Sequence, residues 1–221
     1  MSQFKIRCSA IGKIMTEPRT KSELLSETAK TYIREQWIAD KYGRHKEFSS
    51  NAIKKGLANE EDGISMLSFH LDKLLVKNKE TKENDFIKGT CDIIHNYCIY
   101  DIKCPYDLFT FSKAEVTKDY WWQLQGYCEL YSMNKACLVY VLTDTPASII
   151  ENEVRSIIYK MPSIDVDAME IQAMVTKQLT FDDIDDMDKV KLFYFEHDQE
   201  AIKKLKEKHA IASDYYNSLT L

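Results

Sequence analysis

Three residues carry the clearest chemistry: Asp92, Asp101 and Lys103, in the stretch Gly89-Thr-Cys-Asp92-Ile-Ile-His-Asn-Tyr-Cys-Ile-Tyr-Asp101-Ile-Lys103. In a β-strand, residues i and i+2 share a face, so Asp101 and Lys103 project together while Ile102 turns into the core. Asp92 reaches the same spot across a hairpin turned near His95-Asn96. Two carboxylates and an ammonium at a sheet edge make a hard-oxygen cation site with a charged neighbour. Such a site suits Mg²⁺, with Mn²⁺ as a substitute, and metal-assisted attack of water on a phosphodiester. A lone Asp-x-Lys is often only a salt-bridged strand edge, so its company decides.

Upstream, the apolar pattern Ala52, Ile53, Leu57, Ile64, Met66, Leu67 and Leu71 predicts a helix over 50–73, interrupted near Gly56. Glu60 on that helix projects over the strand pair and completes a metal shell. Glu61 is the alternative one register away; it and Asp62 otherwise form an acidic solvent face. Downstream, Gln123, Tyr127 and Tyr131 are four apart and share a helical face. Gln123 and Tyr127 are suited to position the lysine, a water or a phosphate. The bland reading of this aromatic helix is packing against a sheet.

The elements that must position these residues follow from periodicity. A short helix over 8–16, capped by Ser9, ends at Pro18. An amphipathic helix over 21–42 carries Leu24, Leu25, Ala29, Ile33 and Trp37 on one stripe. A strand hairpin spans 85–104, the aromatic helix 116–133, and a fully buried strand 136–143. Strand, helix and strand in that order predict a crossover joining parallel neighbours. Residues 149–160 fit strand or helix, 190–196 a strand, 198–217 a closing helix, and the acidic 181–188 stretch a surface turn. The expected class is α/β, a central mixed sheet flanked by helices in one domain over 1–221.

A chain of 221 residues with 44% hydrophobic and 29% charged residues suits a soluble globular protein. No apolar run approaches the length of a membrane helix, and the opening residues lack the apolar core of a signal peptide. The six cysteines are scattered without cluster spacing and read as small core residues of a cytoplasmic protein. A net charge of −5 argues against a DNA-coating protein. Lysine and arginine nevertheless crowd residues 5–55 while acids crowd the tail, so a basic mouth can steer DNA toward the site.

The combination resembles the PD-(D/E)xK nuclease superfamily, and within it the phage lambda-exonuclease family. The matching residues are Gly56-x-x-x-Glu60, Gly89-x-x-Asp92, Asp101-Ile-Lys103-Cys-Pro105 and Gln123-x-x-x-Tyr127. The opening Arg7-Cys-Ser9-Ala-Ile-Gly12 also matches. The second acid is Asp101, where this branch more often has Glu. The resemblance implies a restriction-endonuclease-like core. It also implies an Mg²⁺-dependent exodeoxyribonuclease, of 5′-to-3′ polarity, that degrades linear duplex DNA for recombination by strand annealing. Glu60, Asp92, Asp101 and the Ile102 carbonyl would hold the metal. Lys103 would orient or deprotonate the water, its pKa depressed by the neighbouring cations. Arg7, Ser9, Lys13, Lys54 and Lys55 are the expected DNA contacts. The implied partners are DNA ends, an annealing protein and further copies in a ring, most simply a trimer, in the cytoplasm of a bacterium hosting a phage or prophage. Trp121 and Trp122 are core residues, a base-stacking wedge or part of the ring interface. The alternatives are an endonuclease on the same fold and an inactive DNA-binding or assembly module.

Overall fold

The computed structural model describes residues 4–46, 50–161 and 167–221. The sequence reading of the N-terminus as free of a signal peptide therefore falls partly outside the described residues. Strand β1 (Ile6–Arg7) passes through a 3-10 turn at Cys8–Ala10 into α1 (Ile11–Ile14). Ser9 is exposed inside that turn and caps nothing: Arg7 and Ala10 hold the two cap positions, without a side-chain hydrogen bond. The expected helix over 8–16 is thus shorter. Helix α2 (Glu27–Tyr42) starts later than expected because Ser26 Oγ accepts the Ala29 N–H at 3.1 Å and fixes the first turn there. Leu25, Ala29, Ile33 and Trp37 are buried, whereas Leu24, ahead of the cap, is 66% exposed and leaves the expected stripe.

The predicted helix over 50–73 forms as α3 (Asn51–Ala58) and α4 (Glu60–His70), broken at Asn59 and not at Gly56. The reason is tertiary. The buried Asn59 amide donates to Thr143 Oγ1 at 2.9 Å and to the Asp144 carbonyl, drawing the chain into the bridge region at φ −101° and ψ 9°.

Strands β2 (Lys82–Glu83) and β3 (Ile87–Gly89) pair with β1 in a small sheet of order β1-β3-β2, with β1 and β3 parallel. The hairpin itself is β4 (Ile93–His95) and β5 (Cys98–Lys103), so the expected span 85–104 divides between two sheets. Its turn is Asn96–Tyr97, both at positive φ, as a two-residue type I′ connection requires. Helices α5 (Leu108–Ser112) and α6 (Lys118–Tyr131) carry the chain to β6 (Lys135–Val141), which lies parallel to β5. The predicted crossover is therefore present.

Residues 149–160, open between strand and helix in sequence, lie in α7 (Ala147–Lys160). Helix α8 (Ala168–Leu179), outside the expected elements, packs Ile171, Val175 and Leu179 against Ile150 and Val154 of α7 in a separate small core. After the turns of the acidic stretch, β7 (Val190–Glu196) pairs antiparallel with β6, and α9 (Gln199–Ser218) closes the chain. Among the described residues no helix is long and apolar enough to cross a membrane.

The central four-stranded sheet has order β4-β5-β6-β7. Its period of two sorts side chains between two cores. Ile99, Ala136, Leu138 and Tyr140 pack with residues of α1, α2, α6 and α9, while Tyr100, Ile102, Cys137, Val139 and Val141 pack with Ile64 and Leu67 of α4. All six cysteines are free, five of them buried. The close approach of α6 to the 3-10 turn depends on Gly126, where a Cβ would stand 2.4 Å from Ile11 Cδ1 and 3.0 Å from Cys8 Sγ.

Candidate active site

The first wall of the site is built by the sheet and α6. Asp92 lies at the bend before β4, and its Oδ2 accepts the Ile102 N–H at 2.7 Å, tying the first acid to the strand that carries the second. Asp101 and Lys103 share the α6 face of β5, with Ile102 turned toward α4 as the strand period predicts. Asp101 is 1% exposed. Gln123 Nε2 donates to its Oδ1 at 3.2 Å, and Lys103 Nζ lies 2.6 Å from its Oδ2. Gln123 Nε2 also donates to the Tyr127 hydroxyl oxygen at 3.1 Å. A carboxylate can only accept, so the amide nitrogen must face Asp101. Gln123 and Tyr127 therefore brace the buried acid from behind.

The second wall is helical. Glu60 opens α4 and lines the same cavity, whereas Glu61 and Asp62 are exposed. Lys77, in the loop after α4, reaches Glu60 Oε2 at 2.9 Å. Between the walls lies a cavity of about 550 Å³ lined by Glu60, Asp92, Asp101, Ile102, Lys103 and Gln123. Tyr120, also on its lining, places its ring 4.9 Å from the Lys103 ammonium. Sequence reasoning missed Tyr120 and Lys77. Tyr120 was findable three residues before Gln123 on one helical face, but Lys77 sits in a loop with no periodic signal.

Charge is crowded here. Burial, and then the charge of Asp101, pushes the Asp92 carboxyl up from 3.8 to about 7, against the opposing pull of the Ile102 N–H and Lys103. Burial lowers the Lys103 ammonium, but the charge and hydrogen bond of Asp101 outweigh it and hold the group above its ordinary value. The expected depression of Lys103 belongs to cationic surroundings, and the charged side chains near it, Asp101 and Asp92, are anionic. Asp101 Oδ2 is buried and accepts no hydrogen bond beyond its ion pair with Lys103. Hard carboxylate oxygens, one of them buried and short of donors, suit a divalent cation. Among the described residues, however, no three His, Cys, Asp or Glu side chains converge as a preformed metal group. Glu60, Asp92 and Asp101 share a cavity, with Glu60 held by Lys77 and Asp101 by Lys103.

The expected DNA contacts separate. Lys55 is corrected outright: it is 0% exposed, its Nζ donates to the Tyr106 carbonyl at 3.0 Å and lies 5.1 Å from the Phe181 ring centroid. A side chain so enclosed has no access to a phosphate, and burial lowers its pKa from 10.5 to about 8. Lys54 is exposed on α3, and Lys13 is exposed with its ammonium 5.9 Å from the Tyr32 ring. Arg7 and Ser9 line a second cavity of about 320 Å³ with Thr81, Lys88, Thr90 and Tyr127. Tyr127 thus stands between the two cavities, holding Gln123 on one side and lining the other. Trp121 and Trp122 are both partly buried and meet edge to face, with centroids 4.8 Å apart.

No family model matches the chain, and no curated protein matches it significantly. Among solved structures, a phage-related exonuclease from Haemophilus somnus 129PT aligns at 27% identity and TM-score 0.79, over 97% of this chain and 94% of that one. An alkaline exonuclease from Laribacter hongkongensis aligns at 11% identity and TM-score 0.66, over 97% and 88% of the two chains. Its complex with dAMP gives 13% identity and TM-score 0.65 over the same shares. The two Laribacter structures speak for the fold alone, whereas the Haemophilus protein shares the fold at higher identity over nearly its whole length. Asp92 and the Asp101-x-Lys103 pair are thus set on a fold shared with phage-related and alkaline exonucleases, the fold of lambda-exonuclease-like nucleases of the PD-(D/E)xK superfamily, and this likeness supports a nuclease.

Proposed function

We propose that this protein is a divalent-metal-dependent exodeoxyribonuclease that degrades linear duplex DNA from its ends, 5′ to 3′, in phage-type recombination by strand annealing. The observation that carries the chemistry is the convergence of Asp92, Asp101, Lys103 and Glu60 on one cavity. Glu60, Asp92 and Asp101 would hold Mg²⁺, which when bound lowers the pKa of a coordinated water and neutralises charge on the scissile phosphate. Lys103 offers an ammonium to the phosphate oxygens, where one positioned charge stabilises the transition state by about 3–4 kcal/mol. Its ion pair with Asp101 fixes where that charge sits. Gln123 keeps Asp101 aimed, and the Tyr127 hydroxyl keeps Gln123 aimed.

The end requirement draws support from the second cavity. Arg7, Lys88, Ser9, Thr81 and Thr90 offer cationic and hydroxyl donors beyond Tyr127, and Thr81 and Thr90 are already joined hydroxyl to hydroxyl at 2.7 Å. Such a lining suits the phosphate at a strand terminus. A ring of identical subunits, most simply a trimer, would keep the duplex threaded, with Lys13 and Lys54 toward it. Incubation of end-labelled linear duplex carrying 5′-phosphate or 5′-hydroxyl, beside closed circles of the same sequence, tests the proposal. Mg²⁺-dependent loss of the linear substrate alone, fastest with 5′-phosphate, is the expected result. Cutting of closed circles by a monomer would replace it with the endonuclease reading.

A further inference from the structure

The loop between α4 and β2 brings a second ammonium, that of Lys77, onto Glu60 of the cavity lining. Asn78 pins that loop to the strand wall. Its N–H donates to the Asp92 carbonyl at 2.7 Å, and its side-chain amide donates to the Cys91 carbonyl at 3.0 Å and the Tyr131 hydroxyl at 3.2 Å. The Tyr131 hydroxyl in turn donates to the Glu80 carbonyl. Just before this anchor, Lys77 forms an isolated antiparallel bridge with Ile93, the residue after Asp92. The backbone of Lys77 is therefore registered against the acid-bearing strand, while its Nζ reaches Glu60 Oε2 on the helical wall at 2.9 Å. Both side chains of this pair are partly shielded, at 35% and 26% exposure. The link joins the two walls through charge.

We propose that Lys77 is a built-in counter-cation of the nuclease cavity: it occupies Glu60 in the metal-free protein and competes with the divalent metal for that carboxylate. The inference rests on the metal-binding reading of this cavity. Binding a divalent ion through Glu60 must release the Lys77 ion pair and bring positive charge close to an ammonium. Both effects oppose the metal. Lys77 thus offsets one of the three carboxylates before metal and DNA arrive, as Lys103 offsets another, and its ammonium is released from Glu60 once the metal is in place. The role is one of positioning and charge balance, exerted through Glu60.

The test is calorimetric titration of the DNA-free protein with Mn²⁺ and with Mg²⁺, alongside thermal unfolding in EDTA and in saturating metal. Lys77→Met keeps the aliphatic stem and removes the charge, and Lys77→Arg keeps the charge. The expected result is about two- to fivefold tighter metal binding by Lys77→Met, the size set by releasing a partly exposed ion pair. Lys77→Arg should stay near wild type. Metal should raise the unfolding temperature of Lys77→Met more than that of wild type. Unchanged or weaker metal binding by folded Lys77→Met would overturn the inference, as would an Arg variant that behaves like Met. An Asp101→Asn control separates the two levels. Wild-type binding that this variant weakens supports the metal reading even if Lys77 proves inert. Absence of cavity binding by wild type overturns both.

Discussion

The two walls of the cavity are built in opposite ways. On the sheet wall, Asp101 and Lys103 are two residues apart on one strand, Asp92 is tied to that strand by a backbone hydrogen bond, and Gln123 and Tyr127 brace the acid from a packed helix. On the helical wall, Glu60 depends on a break at Asn59 and on a lysine from a loop. The first wall takes its geometry from the strand repeat and burial, whereas the second takes it from contacts distant in sequence. Reacting groups need fixed geometry, so the proposed function assigns the chemistry to the sheet wall and leaves the adjustable part of metal affinity to the helical one.

The sharpest way to break this contrast is Lys103→Ala. Cleavage of end-labelled duplex should fall about 10²–10³-fold while DNA affinity stays within a few-fold, since the ammonium acts mainly in the transition state. Near-normal turnover would move the chemistry off the sheet wall.

Asp92→Asn probes the electrostatic cost of that wall. Its carboxyl stands at about 7 in the folded chain against an ordinary 3.8, so the folded state holds the proton more tightly than the unfolded one. Metal-free stability should therefore fall as pH rises from about 4 to 7 and stay level above that, as far as this group is concerned. In EDTA, Asp92→Asn should lose this decline and exceed wild type in unfolding temperature at pH 8. Parallel pH profiles for the two proteins would contradict the strained-acid account.

On the helical wall, Asn59→Ala removes the amide that donates to Thr143 and Asp144. We expect about 1–3 kcal/mol of lost stability, the cost of leaving buried polar partners unpaired, measured by urea unfolding. Lys54→Ala should have the smallest effect. The slope of log affinity for DNA against log salt should drop by about 0.9 if Lys54 meets one phosphate, with stability unchanged. An unaltered slope would remove Lys54 from the DNA path.

Lys54 and Lys55 show where sequence legibility ends. They are adjacent and chemically identical, and both sit in the basic N-terminal quarter, yet one is exposed and the other enclosed by Tyr106 and Phe181. Leu24 errs the other way: it fits the helical period, but the Ser26 cap excludes it from the helix. The division of residues 85–104 between two sheets was equally hidden, because β3 pairs in parallel with β1, 81 residues earlier in the chain (Ile6 with Ile87).

What the sequence determined by itself was whatever rests on local repeat. The period of two placed Asp101 with Lys103 and set Ile102 against them. The period of 3.6 placed Gln123 with Tyr127, and the order strand, helix, strand required a parallel crossover. Only the tertiary structure decided the break at Asn59, the burial of Lys55 and the reach of Lys77 to Glu60. Each of these depends on partners 17 to 126 residues away in the chain, from Lys77 with Glu60 to Lys55 with Phe181. Local propensity carries no information about such partners, because the energy that fixes them arises only once distant segments share a desolvated interior.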